Sequence, residues 1–97
     1  MATQDVKGED YIIQYDSATT TVNFNGELSL GGSVEYEPIN NLLNEVAETN
    51  SEIMTVNLRE LGFLNSSGIS MLSKFVLGFR KKKGTQLIIL GSNDMPW

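Results

Sequence analysis

The chain has no cysteine and no histidine. Without cysteine there are no disulfides, no thiolate chemistry and no cysteine-bound metal, and nothing can be read about redox compartment. Without histidine the chain lacks the commonest general base, the usual partner of a nucleophilic serine and the commonest metal ligand. Both absences argue against an enzyme and imply neither cofactor nor metal, leaving only carboxylates or lysines for chemistry. Positive charge is also scarce. Seven Lys and Arg against twelve Asp and Glu give a formal charge of −5 at pH 7. Nucleic-acid binders usually carry a basic surface that displaces counterions from phosphates, so an acidic domain more readily meets another protein. No apolar run approaches the roughly 20 residues that span a bilayer, and Met1-Ala2-Thr3-Gln4-Asp5 has neither a basic nor an apolar signal region. The simplest location is the cytoplasm, without insertion into a membrane.

Ninety-seven residues fit one small domain with a modest core. Residues 1–10 are polar and read as a flexible lead-in, with the domain over 11–97. Tyr11-Ile12-Ile13-Gln14-Tyr15 is rich in β-formers, and Asp16-Ser17-Ala18-Thr19 supplies turn chemistry. Val22 and Phe24 then alternate with polar neighbours, which predicts a β-hairpin. Extended chain continues through Leu30 and ends at Gly31-Gly32. No Lys-Ser or Lys-Thr comes after these glycines, so they do not form a phosphate-binding loop.

Ile39, Leu42, Leu43 and Val46 fall at i, i+3, i+4 and i+7, the spacing of one helical face. The helix starts between Val34 and Pro38, with Pro38 acceptable in the first turn and Glu35 and Glu37 suited to the positive dipole end. Ile53-Met54-Thr55-Val56-Asn57-Leu58 reads as a central strand buried on both faces, followed by a connection through Arg59-Glu60-Leu61-Gly62. Ile69, Leu72, Phe75, Val76 and Phe79 then recur at helical spacing up to Arg80, as a core stripe. Lys81, Lys82 and Lys83 suit the last turn as a solvated helix end, and Gly84 is placed to cap it in a left-handed conformation. Residues 85–90 form a last strand. The order β-β-α-β-α-β predicts an α/β fold: a mixed sheet of about four strands, an antiparallel hairpin followed by parallel strands, with helices packed on it.

The functional reading concentrates on Phe63-Leu64-Asn65-Ser66-Ser67-Gly68-Ile69, at the start of the second helix. The first amides of a helix are unpaired, and Ser66 or Ser67 is a natural cap for one of them. The same amides and the helix dipole favour an anionic group there. Gly68 lets the chain approach closely.

Asn25-Gly26-Glu27-Leu28, then Val56-Asn57-Leu58 with Leu61, then Phe63-Leu64-Asn65-Ser66-Ser67-Gly68, a helix, Gly84 and an apolar strand together resemble a STAS domain. This is the fold of anti-sigma-factor antagonists and of the cytoplasmic tails of sulphate transporters. The resemblance covers residues 11 to 94. The family signature before the second helix is Asp-Ser-Ser-Gly or Asp-Ser-Thr-Gly, whose first Ser or Thr is phosphorylated by a partner kinase that is also an anti-sigma factor. Carried over by position, Ser66 is the phosphoacceptor. The resemblance implies a non-catalytic regulatory module binding a protein, an anti-sigma-factor serine kinase, through Asn65, Ser66, Ser67, Gly68, Ile69 and Ser70, with Glu27 across the face.

The chain departs from the family in three places. Asn65 stands where the signature has Asp, the connection around Gly31-Gly32 is longer, and the family normally continues past this point into a further helix. The domain is accordingly expected to lack that final helix. A constitutive scaffold or transporter-associated regulatory subunit, with Ser66 unmodified, is the alternative reading. A small-ligand sensor using the anion-friendly amides is a third.

Overall fold

The apolar-polar alternation that starts at Tyr11 sets up the sheet. In the computed structural model, which describes residues 5–49, 51–79 and 84–91, strands β2 (Tyr11–Asp16) and β3 (Thr21–Leu28) pair as the expected antiparallel hairpin. The turn between them is fastened by Asp16, whose Oδ1 accepts from the Ala18 amide at 3.0 Å, a local bond that Asp side chains make readily. A short strand β1 (Val6–Lys7) pairs with β2 from outside. The sheet therefore begins inside the stretch read from sequence as a lead-in and has five strands where four were expected.

The remaining order is helix α1 (Ser33–Ala47), strand β4 (Ile53–Leu64), helix α2 (Ser66–Phe79) and strand β5 (Gln86–Leu90). Strands β3, β4 and β5 lie side by side and parallel, so the sheet order runs in sequence from β1 to β5. Parallel neighbours need a crossover, and right-handed crossovers stepping the same way across a sheet put their helices on one face. Both helices do lie there. Ile13, Val22 and Phe24 of the hairpin, Met54 and Val56 of β4, Ile39 and Leu43 of α1 and Phe75 of α2 form one buried cluster. The other face has Asn23, Asn25, Thr55 and Asn57, half-buried, with Asn57 Nδ2 donating to Asn23 Oδ1 at 2.9 Å.

Several boundaries depart from expectation. β4 runs on to Leu64 where a connection was expected after Leu58, and it is buried on one face only. The pairing shifts register between Asn23 and Asn25 and again between Gly26 and Glu27, so β4 covers with Thr55 to Leu64 what β3 covers with Thr21 to Leu28. Bulges of this kind absorb extra residues and bend the strand, which keeps Leu61 and Leu64 buried on either side of exposed Gly62 and Phe63. Gly26, at φ +98, sits in this region, and a Cβ there would run into the Asp10 carbonyl.

α1 begins at Ser33, one residue before the earliest expected start. Gly32 precedes it without a side-chain cap, while Gly31 N–H donates to the Glu35 carboxylate. Pro38 consequently stands in the second turn, not the first. The carbonyl that its missing amide would have engaged belongs to Val34, a solvent-facing residue where water can serve as donor.

On α2 the buried face is Gly68, Met71, Leu72, Phe75 and Phe79, with Ile69 43% exposed and Val76 half-buried. The stripe expected from spacing included Ile69 and Val76. It is rotated because α2 packs against α1 as well as the sheet, which turns Met71 inward. Phe75 and Phe79, one turn apart, tilt against each other with centroids 5.7 Å apart. Arg80 and the Lys81 to Lys83 run lie outside the described residues. Gly84 has the left-handed φ of +86 expected of it.

This packing makes a direct prediction. Phe24→Ala, at a fully buried position, costs about 3–5 kcal/mol, whereas Val34→Ala stays within about 0.5 kcal/mol, both read from urea midpoints at constant slope.

Candidate functional site

The C-terminal ends of parallel β3 and β4 and the N-terminal ends of α1 and α2 meet at one end of the sheet, the end where open α/β sheets place their sites. Asn65 holds them together. Its backbone amide donates to the Leu28 carbonyl at 3.0 Å, extending the β3–β4 pairing by one step, and its carbonyl accepts from the Ile69 amide at 2.9 Å to open α2. Its side chain joins three more groups. Oδ1 accepts from the Gly68 amide at 2.9 Å and from the Tyr36 hydroxyl at 2.6 Å. Nδ2 donates to the Leu30 carbonyl at 2.8 Å. Leu30 N–H donates back to the Tyr36 hydroxyl at 3.3 Å, so the loop before α1 is tied to both helices.

The cap of α2 is therefore Asn65, correcting the expectation of Ser66 or Ser67. A cap residue lies just outside the helix and reaches the amide two or three positions on. Asn65 occupies that place, and both serines are already helical. Asparagine also fits where aspartate does not, because the site asks for an acceptor toward Gly68 and Tyr36 and a donor toward Leu30. A carboxylate would turn a lone pair toward the Leu30 carbonyl.

Gly68 is buried. A Cβ on it would collide with the Leu64 side chain and stand 2.7 Å from the Tyr36 hydroxyl. Tyr36 itself is fully buried. Burial pushes its phenol above the ordinary 10.0, opposed in part by the hydrogen bond from the Leu30 amide and assisted by the charges of Tyr11 and Glu35.

The structure gathers most of the residues named from sequence at this end. Ser66 is exposed at the first helical position and Ser70 is exposed one turn on. Ser67 is half-buried in a shallow cleft of about 250 Å³ between the helices, with Asn40, Ser70, Met71 and Lys74. Gly68 presents no surface. Glu27 is exposed and in register with Phe63, at the same end of the sheet. Val34 (79% exposed), Phe63 (42%) and Ile69 (43%) add large apolar side chains to this end. Tyr36 and Leu30 were not identified from sequence. The available signal was that Tyr36 extends the Ile39, Leu42, Leu43 and Val46 stripe back by one turn, and a tyrosine on a buried stripe needs a partner for its hydroxyl.

Among the described residues no group of acidic side chains could hold a metal ion, and no helix is long and apolar enough to cross a membrane.

No protein-family model matches the chain, and no curated protein matches it. Solved structures do. An anti-sigma factor antagonist from Mycobacterium paratuberculosis superposes with a TM-score of 0.66 at 15% identity, over 89% of this chain and 69% of that one. An antisigma-factor antagonist STAS domain from Rhodobacter sphaeroides aligns at 14% identity over 88% of this chain and 92% of that one, with a TM-score of 0.46. The chain has a STAS-like fold.

The Asn65 network predicts coupled energetics. Tyr36→Phe costs about 1–2 kcal/mol and Asn65→Ala about 2–3 kcal/mol, since each leaves buried groups without partners. The double variant falls short of the sum by at least about 0.5 kcal/mol in urea unfolding, because the two remove one shared bond. A raised phenol pKa also has a defined sign. Its stabilisation is complete below the unfolded value near 10.0 and is lost as pH rises through the higher folded value. Unfolding measured from pH 8 to about 11 should show an alkaline loss of stability that Tyr36→Phe reduces.

Proposed function

We propose that this STAS-like domain is a non-catalytic regulatory module that binds a protein partner through the α2 start, with affinity switched by phosphorylation of Ser66. The observation carrying this reading is the placement of Ser66: exposed at the first position of α2, immediately after a residue whose every polar atom is engaged in holding the helix start. A hydroxyl so placed is accessible to a kinase. The amides of Gly68 and Ile69 are bonded to Asn65, while the helix dipole still favours a phosphate at this position.

A phosphate adds about −1.5 to −2 charge, on a chain whose formal charge is already −5. Exposed Val34, Phe63 and Ile69 supply apolar contact area around Ser66, and Ser67, Ser70 and Glu27 a polar rim. Such a mixed surface suits a protein better than a small ligand. The partner that fits best is a serine kinase that also acts as an anti-sigma factor, given the resemblance of the Asn65-Ser66-Ser67-Gly68 signature and the fold shared with a protein described as an anti-sigma factor antagonist. The corresponding location is the cytoplasm.

A second reading is favoured by one residue. Asn65 replaces the signature's Asp, and its amide is committed to Leu30 and Tyr36, so it offers a kinase no carboxylate beside Ser66. On this reading the domain is a constitutive scaffold or a transporter-associated regulatory subunit, and Ser66 is never modified.

Baits of wild-type protein, Ser66→Asp and Ser66→Ala, drawn through lysate and analysed by mass spectrometry for both partners and bait phosphorylation, separate the two. The switch reading expects a kinase-like partner on wild type and Ser66→Ala, at least a tenfold loss with Ser66→Asp, equivalent to about 1.4 kcal/mol, and phosphate on Ser66. Equal recovery by all three baits with Ser66 unmodified supports the scaffold instead.

A further inference from the structure

α1 and α2 pack along a seam that holds two connected clefts. The first, of about 250 Å³, lies between Asn40 of α1 and Ser67, Ser70, Met71 and Lys74 of α2. The second, of about 500 Å³, shares Asn40 and Lys74 with it and continues toward Asn44 and Glu48 on α1 and Gly78 on α2. Small-molecule sites occupy roughly 300–1,000 Å³, so the seam has room for a small ligand.

The chemistry of the first cleft is that of a donor set. Lys74 is the only cation in either helix, whereas α1 carries Glu35, Glu37 and Glu45. Ser67, Ser70 and Lys74 fall at i, i+3 and i+7 on one face of α2. A long side chain on a helix leans back over the preceding turn, which takes Lys74 toward Ser70. Asn40 faces them from α1. Among the described residues none of these four side chains has a hydrogen bond or an ion pair, although Asn40 and Ser67 are half-buried. Asn65 and Tyr36, close by, have theirs engaged. Two hydroxyls, an amide and a lysine thus turn hydrogen-bond donors to one cleft. A phosphate, with several free oxygens, can accept from more than one of them, and a charged donor strengthens the contact. The amides of Gly68 and Ile69 take no part, since both are bonded to Asn65.

Gly78 is the second observation. A glycine inside a helix is less stable than an alanine there, and nothing local requires this one. Its φ is not left-handed, and a Cβ on it would meet no described atom within 4 Å. What its bare backbone provides is open space along the second cleft. Opposite it, Asn44 and Glu48 offer a donor and several acceptors, a combination that suits hydroxyl groups.

We infer that the seam is a binding site for the phosphate monoester of a small polyol, with the phosphate held by Lys74, Ser67, Ser70 and Asn40 and the hydroxylated body lying beside Asn44, Glu48 and Gly78. The site adjoins Ser66 without including it. It therefore goes beyond the proposed switch and does not depend on it.

Titration of the full chain with glycerol phosphate and with ribose phosphate, followed residue by residue by NMR of the backbone amides, tests this. At least one ester should give saturable shifts at Asn40, Ser67, Ser70 and Lys74 and bind at least tenfold more tightly than inorganic phosphate, while glycerol and ribose move nothing. Lys74→Gln should weaken ester binding at least tenfold. Arg59→Gln, which removes the same charge from an exposed position on β4, should leave it as in wild type. Gly78→Leu, with circular dichroism unchanged, should weaken the ester several-fold and leave inorganic phosphate unaffected. The inference is overturned if neither ester shifts these residues, if Lys74→Gln and Arg59→Gln weaken binding equally, or if Gly78→Leu leaves the ester as tightly bound as before. Inorganic phosphate binding as tightly as the esters overturns it in favour of a free oxyanion, and a phosphoserine peptide binding more tightly than both esters overturns it in favour of a phosphorylated protein.

Discussion

The side-chain amide of Asn65 is the constraint on which the functional end of the domain depends. Three elements converge on it: the loop at Leu30, α1 through Tyr36, and α2 through Gly68. Each contributes a part-buried group that would otherwise lack this partner. The total stability of a domain this size is only about 5–15 kcal/mol, so one residue governs a sizeable share of it. Among the described residues no buried side-chain polar atom lacks a partner. The network is complete, and a complete network fixes geometry where a partial one would loosen it.

Gly68 is the steric counterpart of that amide. Tyr36 can bring its hydroxyl to Asn65 only because α2 has no side chain in its path at that position. Adding a methyl there would push α2 away from α1, lengthen the 2.6 Å bond between Tyr36 and Asn65 and strain the cap together with the helix contact. Packing and hydrogen bonding are thus not separable here. The short approach makes the bonds possible, and the bonds hold the approach.

Much of this fold could be read from the chain. The hairpin at Val22 and Phe24, the helix stripe from Ile39 to Val46, and the last strand around Ile88 all carry periodicities that a single segment can express. What the sequence hid is decided between segments. Asn65, Ser66 and Ser67 are three consecutive capping-competent residues, and the choice among them falls to Tyr36 and Leu30, 29 and 35 residues away. Arg59, Glu60 and Gly62 resemble a turn, yet they continue β4 because β4 bulges there against β3. Val6 and Lys7 make a strand through their pairing with Ile13 and Ile12 and have no pattern of their own. Ile69 fitted the apolar spacing of α2 but faces outward, because spacing fixes which residues share a face and not which way α1 turns that face.

A rigid helix start also determines what a charge at Ser66 could do. At the first position of α2 the helix dipole favours a negative group by about 0.3–1 kcal/mol, so a phosphate there leaves the fold as stable as before or slightly more so. The Asn65 bonds do not involve the Ser66 side chain and have no reason to break. Whatever a phosphate changes must then be felt outside the domain, on whatever approaches Val34, Phe63 and Ile69. On the proposed switch reading, the same features that make Ser66 a harmless place to add charge for this domain would let that charge act on a partner.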